Sequence, residues 1–116
     1  MYKNLAFIAY SVKDVPRAVK FYRDVVGWKQ GASFGDVWVE FDVGDVTFGV
    51  GDGERIGIAA GSCATAAFEV DDIAAEHDRL ARQGVKVTDV SDSPSCRSCF
   101  VSDPEGNRFA LHQTKA

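Results

Sequence analysis

The sequence predicts an α+β fold in which two βαβββ repeats form curved mixed sheets around a cup. The first observation is size, since 116 residues with 46% hydrophobic residues suit one domain with an ordinary core. The second is a repeat: residues 9–30 and 67–88 both contain an apolar strand, an acidic cap, a helix, a glycine and a second strand. The third is a second match between the two repeats, in which TFGV at 47–50 corresponds to RFAL at 108–111. Each unit is too small to close a core alone, so we expect units at about residues 1–52 and 63–116 to pack as one domain.

The first unit begins with an alternating strand and continues into a helix. Asp14 is the predicted helix cap, Pro16 lies in the first turn, and Gly27 ends the helix. Apolar residues recur on one helical face, which predicts a helix over Val15–Val26 that packs on the sheet. The predicted strands of this unit are Tyr2–Val12, Trp28–Ala32, Val37–Val43 and Val46–Val50.

The second unit repeats this order after a glycine-rich segment, GVGDGERIGIAAG at 49–61, that is typical of a surface linker. Asp72 caps a predicted helix over Ile73–Gln83, and Gly84 follows it. His77 lies on the inner side of that helix, where a hydrogen-bonded structural role explains it. The predicted strands of this unit are Cys63–Val70, Val85–Val90, Cys96–Ser102 and Arg108–Gln113.

Charge and hydropathy exclude several classes of function. The chain has 13 basic and 17 acidic residues, a net charge of −4, and no basic run. This balance disfavours nucleic acid and anionic membranes as partners, because both reward clustered Lys and Arg. No apolar run is long enough to span a bilayer, and the first residues do not resemble a signal peptide. We therefore expect a cytoplasmic protein.

The cysteines Cys63, Cys96 and Cys99 do not predict a disulfide framework, because their number is odd. Cys96 and Cys99 have the spacing of a redox or zinc pair, but a strand places residues three apart on opposite faces. A zinc site would need further ligands, and the chain has no second CxxC. Free thiols are the favoured interpretation. A soft-metal or arsenical site formed by all three cysteines is an alternative.

Alternation along the strands predicts which face of each sheet meets the helices. The more apolar set should face them, and it includes Tyr10, Val37, Val39, Phe41 and Phe68. The opposite face mixes aromatic, small and polar residues, namely Phe7, Ala9, Trp38, Glu40, Thr47, Gly49, Thr65, Ala67, Arg108, Ala110 and His112. Two sheets that curve toward each other would enclose this face as a cup, which is the default place for a ligand.

Two motifs give the chain a family resemblance. VKDVPRAVKFYRDVVGW at 12–28 resembles the strand, cap and helix signature of the vicinal oxygen chelate superfamily, the glyoxalase/bleomycin resistance/dioxygenase group. SDPEGNRFALHQ at 102–113 resembles the DPxGN turn and last strand of that family. The resemblance covers nearly the whole chain and implies the glyoxalase/bleomycin-resistance-like fold. It also implies a homodimer in which strands of two chains complete each cup.

Metal-dependent members of this family place His, Glu or Gln at four positions of the cup. Matched to the motifs of this chain, those positions are Phe7, Gly49, Thr65 and Ala110. Phe, Gly and Ala side chains have no donor atom, and a lone Thr hydroxyl is a weak ligand. The resemblance therefore implies a protein without a metal or other cofactor.

Binding of a small molecule without a metal is the function that these residues favour, as in the family's antibiotic-resistance members. Trp38 and Phe7, with Phe34 or Trp28, would stack on a planar ligand, and Glu40 would favour a cationic one. The predicted ligand-binding residues are Phe7, Trp38, Glu40, Thr65, Arg108 and His112.

An enzyme of the lyase or dioxygenase type is the other alternative. His112 would act as its general acid or base, and Arg108 or Arg97 would hold an anion. The sequence shows no paired carboxylates and no set of nucleophile, base and orienting group. No catalytic residue is therefore assigned.

Overall fold

The computed structural model describes residues 6–56, 58–61 and 66–115. The helices are α1 (Val15–Lys20), which continues as a π-helical segment over Phe21–Val26, a 3-10 helix over Gly53–Ile56, and α2 (Ile73–Arg82). The strands are β1 (Ile8–Ser11), β2 (Lys29–Phe34), β3 (Trp38–Val43), β4 (Val46–Gly51), β5 (Ala66–Glu69), β6 (Ser91–Asp92), β7 (Cys96–Ser102) and β8 (Arg108–Thr114).

Two four-stranded mixed sheets organise this part of the chain. The first sheet has the strand order β1-β4-β3-β2 and the second has β5-β8-β7-β6, so the same order occurs twice. β1 pairs with β4 in parallel, and β5 pairs with β8 in parallel. The other strand pairs of both sheets are antiparallel. The predicted α+β class with two repeats is confirmed, although the described strands do not close into a barrel. The domain boundaries near residues 52 and 63 stay a prediction.

Both predicted helix caps are present. The Asp14 carboxylate accepts a hydrogen bond from the Arg17 backbone N–H at 3.0 Å, and Asp72 accepts one from Ala75 at 3.1 Å. Each bond satisfies a backbone donor that a first helical turn leaves without an intrahelical partner. Gly27 ends the first helix with φ of +92°, a left-handed conformation that glycine adopts without a steric penalty.

The first helix differs from the prediction in its second half. The carbonyl of Tyr22 accepts hydrogen bonds from the N–H groups of Gly27, at 3.0 Å, and Trp28, at 2.9 Å. These spacings are wider than in an α-helix, and the turn over Phe21–Val26 is accordingly π-helical. Phe21 and Tyr22, adjacent at the start of this segment, are both buried.

The predicted strand over Val85–Val90 is wrong. A single bridge joins Val87 to Val101, and β6 begins only at Ser91. The side chain of Thr88 explains the irregularity, because its Oγ1 accepts the hydrogen bond of the Phe100 N–H at 2.9 Å. A regular ladder would pair that N–H with a backbone carbonyl.

The other predicted strands are confirmed with shifted ends. The last two strands match the prediction within one residue, whereas β2 begins one residue late and runs on to Phe34. The predicted Tyr2–Val12 and Cys63–Val70 strands are described only as β1 and β5, because residues 1–5 and 62–65 lie outside the described part.

Aromatic residues from both sheets form the centre of the core. The Trp28 ring stacks on Tyr22 at 5.0 Å between ring centres, and it also contacts Phe48, Phe68 and Phe109 at 4.8, 4.9 and 5.3 Å. Trp28 therefore joins the first sheet to the second. The expectation that Trp28 could stack on a ligand is wrong, since its neighbours are core residues.

The turn before the last strand holds the start of the first helix. The Glu105 carboxylate accepts hydrogen bonds from the backbone N–H groups of Lys13 and Asp14, each at 2.7 Å. Asp103 shapes the turn by accepting bonds from the N–H groups of Glu105 and Asn107 at 2.8 and 2.9 Å. The DPEGN motif thus places a carboxylate at the positive end of α1.

Candidate functional site

The first sheet has one face toward the helices and one face away from them. Tyr10, Val39, Phe41, Phe48 and Val50 are buried on the helix side. The residues between them form what we call the open face of the first sheet, on which Ala9, Gly49 and Glu40 are paired across three neighbouring strands. The predicted assignment of faces is therefore confirmed for these strands.

Trp38 is the main aromatic residue of this open face. Its indole Nε1 donates a hydrogen bond to Glu40 Oε2 at 2.9 Å, and its ring meets Phe7 edge-on with ring centres 5.3 Å apart. Phe34 is paired with Trp38 across the two strands and is 62% exposed, and Phe7 is 51% exposed. The structure thus brings together three predicted site residues, Phe7, Trp38 and Glu40, in one cluster around the indole.

Two glycines allow the indole to lie close to the sheet. A Cβ atom at Gly49 would lie 2.3 Å from Trp38 Cη2, and one at Gly51 would lie 2.8 Å from Trp38 Cε3. Real Cβ atoms do not approach other atoms so closely, so position 49 carries no side chain while Trp38 keeps this place. The indole occupies the space into which a longer residue at 49 would project.

These residues do not fit a metal centre at the four positions that the family resemblance indicates. Phe7, Gly49 and Ala110 have no donor side chains, and Thr65 lies outside the described residues. Within residues 6–56, 58–61 and 66–115, no group of three His, Cys, Asp or Glu side chains could hold a metal ion. Divalent metals of this kind require such donors or carbonyl oxygens.

A cavity of about 130 Å³ adjoins the indole. It is mainly apolar, and its lining residues are Ala9, Tyr10, Ser11, Val37, Trp38, Gly51, Asp52, Gly53 and Ile58. The prediction that Val37 faces the helices is wrong, because Val37 lies in the turn before β3 and is 38% exposed. Ile58 was not predicted as a site residue either. An apolar residue inside a glycine-rich linker was the one sequence signal that could have indicated it.

A second group of predicted site residues lies on the corresponding face of the second sheet. The Arg108 guanidinium lies over the Phe100 ring, 4.3 Å from its centre. His112 follows on the same strand face, with the buried Ala110 between it and Arg108. His112 Nδ1 lies 2.6 Å from Glu69 Oε1, and Glu69 Oε2 accepts a hydrogen bond from the Thr114 N–H at 2.7 Å.

Cys96 shares this face with His112. The registers Cys96–Thr114 and Ser98–His112 place the two residues diagonally across neighbouring strands. Hydrogen bonding with Ser93 and, next, with His112 lowers the pKa of the Cys96 thiol. Glu69, followed by Cys96, raises the pKa of His112 above its ordinary value of 6.5, because hydrogen bonds and negative charge favour the imidazolium.

Cys99 has the opposite environment. It lies on the helix side of β7 and is 1% exposed, and this burial raises the pKa of its thiol. The expectation that Cys96 and Cys99 point to opposite faces is confirmed, and both are free thiols. Cys63 lies outside the described residues. Arg97 also alternates away from His112 and forms an ion pair with Asp92 at 3.7 Å, so it does not share the His112 face.

Five of the six predicted ligand-binding residues therefore fall into two groups. Phe7, Trp38 and Glu40 lie on the first sheet, and Arg108 and His112 lie on the second. Among the described residues, no hydrogen bond, ion pair or ring contact links one group to the other. Thr65 lies outside the described part of the chain.

The repeated strand order of the two sheets agrees with the family to which the sequence is matched. A family model described as Glyoxalase/Bleomycin resistance protein/Dioxygenase superfamily matches residues 4–111. The chain belongs to this superfamily. No curated protein matches the chain by sequence.

Solved structures of the superfamily share the fold over nearly the whole chain. TnmS3, an antibiotic binding protein from Streptomyces sp. CB03234, is 26% identical with a TM-score of 0.88, and 98% of each chain is covered. A glyoxalase/bleomycin resistance protein from the same organism is 28% identical with a TM-score of 0.82, covering 95% of this chain and 100% of that one. Lactoylglutathione lyase from Agrobacterium tumefaciens, at 21% identity, has a TM-score of 0.79 over 97% of this chain and 94% of its own. This last likeness concerns the fold alone.

The described helices are all too short or too polar to cross a membrane.

Proposed function

We propose that this superfamily member binds a small planar molecule without a metal, on the open face of the first sheet. The observation that carries the proposal is the contact between the exposed Phe7 ring and the half-buried Trp38 indole, beside an apolar cavity. The exposed rings of Phe7 and Phe34 beside Trp38 leave apolar area in water, and covering that area is favourable. A flat apolar ligand would cover it.

The Trp38 ring is already oriented before any ligand arrives. The hydrogen bond to Glu40, the edge contact with Phe7 and the two glycines below restrict the indole to one position. Binding therefore loses little side-chain entropy, which favours affinity. Stacking adds about 0.5–1.5 kcal/mol beyond the burial of apolar area.

The size of the cavity limits what enters it. A volume of about 130 Å³ is smaller than that of a typical drug-binding pocket, which is about 300–1,000 Å³. It suits a single ring or an alkyl substituent, while the rest of the ligand lies across Trp38 and Phe34. Ser11, whose Oγ donates a hydrogen bond to the Ile58 carbonyl at 2.8 Å, contributes a polar atom to the wall.

Charge favours a cation. Glu40 lies beneath the indole edge, Asp52 lines the cavity, and the chain carries a net charge of −4. Asp52 is partly neutralised by an exposed ion pair with Arg55 at 3.2 Å, so Glu40 is the stronger attractor. A planar cation would gain both stacking and electrostatic attraction.

The superfamily supports binding as the function class. TnmS3, which has a TM-score of 0.88 to this chain, is described as an antibiotic binding protein. We extend small-molecule binding to this chain and not the identity of any antibiotic. We also propose that the protein forms a homodimer, as its family implies, and that its free thiols suit a reducing compartment such as the cytoplasm.

A titration with matched dyes tests this proposal. 9-Aminoacridine, a planar cation, should bind and quench Trp fluorescence, whereas anthracene-9-carboxylate, a planar anion of similar size, should bind at least about tenfold more weakly. Trp38→Ala should weaken 9-aminoacridine binding by about tenfold or more in calorimetry. Phe100→Ala, which removes an exposed ring from the other sheet, is the matched control and should leave the affinity unchanged.

Two results would overturn the proposal. One is a Trp38→Ala variant that folds and keeps its affinity. The other is binding that disappears with a chelator and returns with a divalent metal, together with about one metal ion per chain in elemental analysis of protein purified without chelator.

A further inference from the structure

We propose that Cys96 is a covalent attachment site for α,β-unsaturated carbonyl compounds, with His112 as its proton-transfer partner and Glu69 as the group that positions His112. The three residues come from three neighbouring strands of the second sheet, β7, β8 and β5. The proposal is independent of the Trp38 site, because it concerns the other sheet and another chemistry.

The backbone register places these groups together. Glu69 is paired directly with His112, and Cys96 lies diagonally across from His112 on the same face. The short contact of 2.6 Å between His112 Nδ1 and Glu69 Oε1 fixes the orientation of the ring. Nε2 is then the ring nitrogen that remains for the thiol. A thiol, an imidazole and a carboxylate in this order are the parts of an activated nucleophile.

The surroundings favour the thiolate form of Cys96. Ser93 Oγ lies 3.4 Å from Cys96 Sγ, and its hydrogen bond is the largest cause of the lowered pKa of this thiol, with His112 contributing as well. The charged groups that face His112 are Glu69 from β5 and Cys96 from β7, while Arg108 lies beyond Ala110 on its own strand. Cys96 is partly exposed, so a dissolved electrophile can reach it.

The chemical step is an addition that needs no oxidant or further reactant. The Cys96 thiol proton passes to His112 Nε2, and Sγ attacks the β-carbon of the unsaturated carbonyl compound. A carbon–sulfur bond forms while the carbon–carbon π bond breaks, and its electron pair moves onto the α-carbon and carbonyl oxygen as an enolate. The imidazolium of His112 then returns the proton to the α-carbon. The product is a thioether with the atoms of both reactants.

Cys99 provides an internal comparison. It is three residues away on the same strand, but it is buried on the helix side, where burial raises the pKa of its thiol. Burial disfavours the thiolate, and the thiolate is the reactive form. The same electrophile should therefore react with Cys96 much faster than with Cys99, although both lie on β7.

Alkylation by N-ethylmaleimide, an α,β-unsaturated imide, tests the proposal in the full chain with Cys63→Ser. Peptide mass spectrometry after acid quenching gives the rate at each cysteine. At pH 6.0 we expect Cys96 to react at least about fivefold faster than the same residue in urea-unfolded protein, with Cys99 unlabelled. His112→Gln and Glu69→Gln should each remove most of this advantage at pH 6.0 and have a smaller effect at pH 8.5, where thiols ionise without help.

His77→Gln is the matched control, because His77 also lies beside a carboxylate, Asp78 at 3.0 Å, but it lies on α2 and does not share the strand face of Cys96. It should leave the rate at Cys96 unchanged. The proposal is overturned if folded and unfolded proteins react equally at Cys96. It is also overturned if His112→Gln and Glu69→Gln, checked for folding by circular dichroism, keep the pH profile of the parent.

Discussion

The indole of Trp38 lies directly over the α-carbon of Gly49. A Cβ atom placed on Gly49 would be 2.3 Å from Cη2 and 2.4 Å from Cζ2 of the indole. The two residues lie on adjacent strands, with Glu40 as the direct partner of Gly49. Position 49 is one of the four positions that the family resemblance matched to metal ligands, and in this chain the indole of Trp38 occupies the adjoining space.

The first prediction concerns this pair. Gly49→Ala should lower the free energy of unfolding by about 1–3 kcal/mol, because the added methyl group overlaps the indole and forces it to move. In a Trp38→Ala background the same substitution should lower the free energy of unfolding by less than about 0.5 kcal/mol, because the indole that overlaps the new methyl group is absent. Urea unfolding of the four proteins gives the coupling free energy of this double-mutant cycle.

Gly31→Ala is the control for inserting a methyl group into this sheet. A Cβ there would meet only ordinary contacts, the nearest at 3.5 Å from Asp42 Oδ2. It should change stability by less than about 0.5 kcal/mol. Equal costs of Gly49→Ala with and without Trp38 would show that the indole does not occupy this space.

The second prediction concerns pH and the pair Glu69–His112. The Thr114 N–H and, next, His112 hold the pKa of Glu69 below its ordinary value of 4.5, so its stabilising effect is present above that value and is lost as the pH falls through the folded-state pKa. Glu69 raises the pKa of His112, so this contribution is present below 6.5 and is lost as the pH rises through the folded-state pKa. The pair should therefore stabilise the fold most between about pH 4.5 and 6.5.

Thermal unfolding of the parent and of His112→Gln from pH 4 to 9 measures this contribution. The difference in Tm should be largest near pH 5.5 and should shrink toward pH 9. The Glu69 side chain is 56% exposed and that of His112 is 35% exposed, so salt should reduce the difference as well. A difference in Tm that stays constant across this range would contradict the ion pair.

Short-range sequence signals predicted much of this fold. Asp14 and Asp72 were identifiable as caps because acidic residues precede apolar helical stripes, and β7 and β8 were identifiable from their alternation. The same period of two indicated the faces of Trp38 and His112. Each of these signals depends on residues within one turn or one strand of each other.

The parts that the sequence did not reveal depend on distant residues. Glu69 was not considered as a site residue, because it joins His112 only through the parallel register of β5 and β8. The sequence analysis therefore found no set of nucleophile, base and orienting group, whereas the structure brings Cys96, His112 and Glu69 together. The prediction of a strand over Val85–Val90 was wrong for a similar reason. The N–H of Phe100 on β7 donates to the Thr88 side chain and not to a backbone carbonyl.

The third prediction concerns Glu105, whose side chain is 7% exposed. Glu105→Ala should lower the free energy of unfolding by about 2 kcal/mol or more, because hydrogen bonds to a buried charged group are worth about 1.5–3 kcal/mol and the N–H groups of Lys13 and Asp14 lose their acceptor. Urea unfolding measures the loss. Glu54→Ala removes an exposed carboxylate and should change stability by less than about 0.5 kcal/mol. Similar values for both variants would refute the capping role of Glu105.

The fourth prediction concerns Arg79, which connects the two helices. Its guanidinium donates hydrogen bonds to the carbonyls of Val25, at 2.8 Å, and Val26, at 3.0 Å, and it is held by Glu76 on its own helix. These carbonyls lie at the end of the π-helical segment, where no following helical turn supplies N–H groups to donate hydrogen bonds to them. The side chain of Arg79 thus satisfies the end of the first helix from the second.

Arg79→Met keeps the length of the apolar stem but removes every donor, so it should lower the free energy of unfolding by about 1–2 kcal/mol. Arg79→Lys should recover only part of this loss, because one ammonium group cannot reproduce the planar fork that bridges two carbonyls and a carboxylate. Arg82→Met, which removes an exposed arginine from the last turn of the same helix, is the control and should cost less than about 0.5 kcal/mol. Urea unfolding of the three variants decides the matter: if Arg79→Met and Arg82→Met have equal stability, Arg79 does not hold the two helices together.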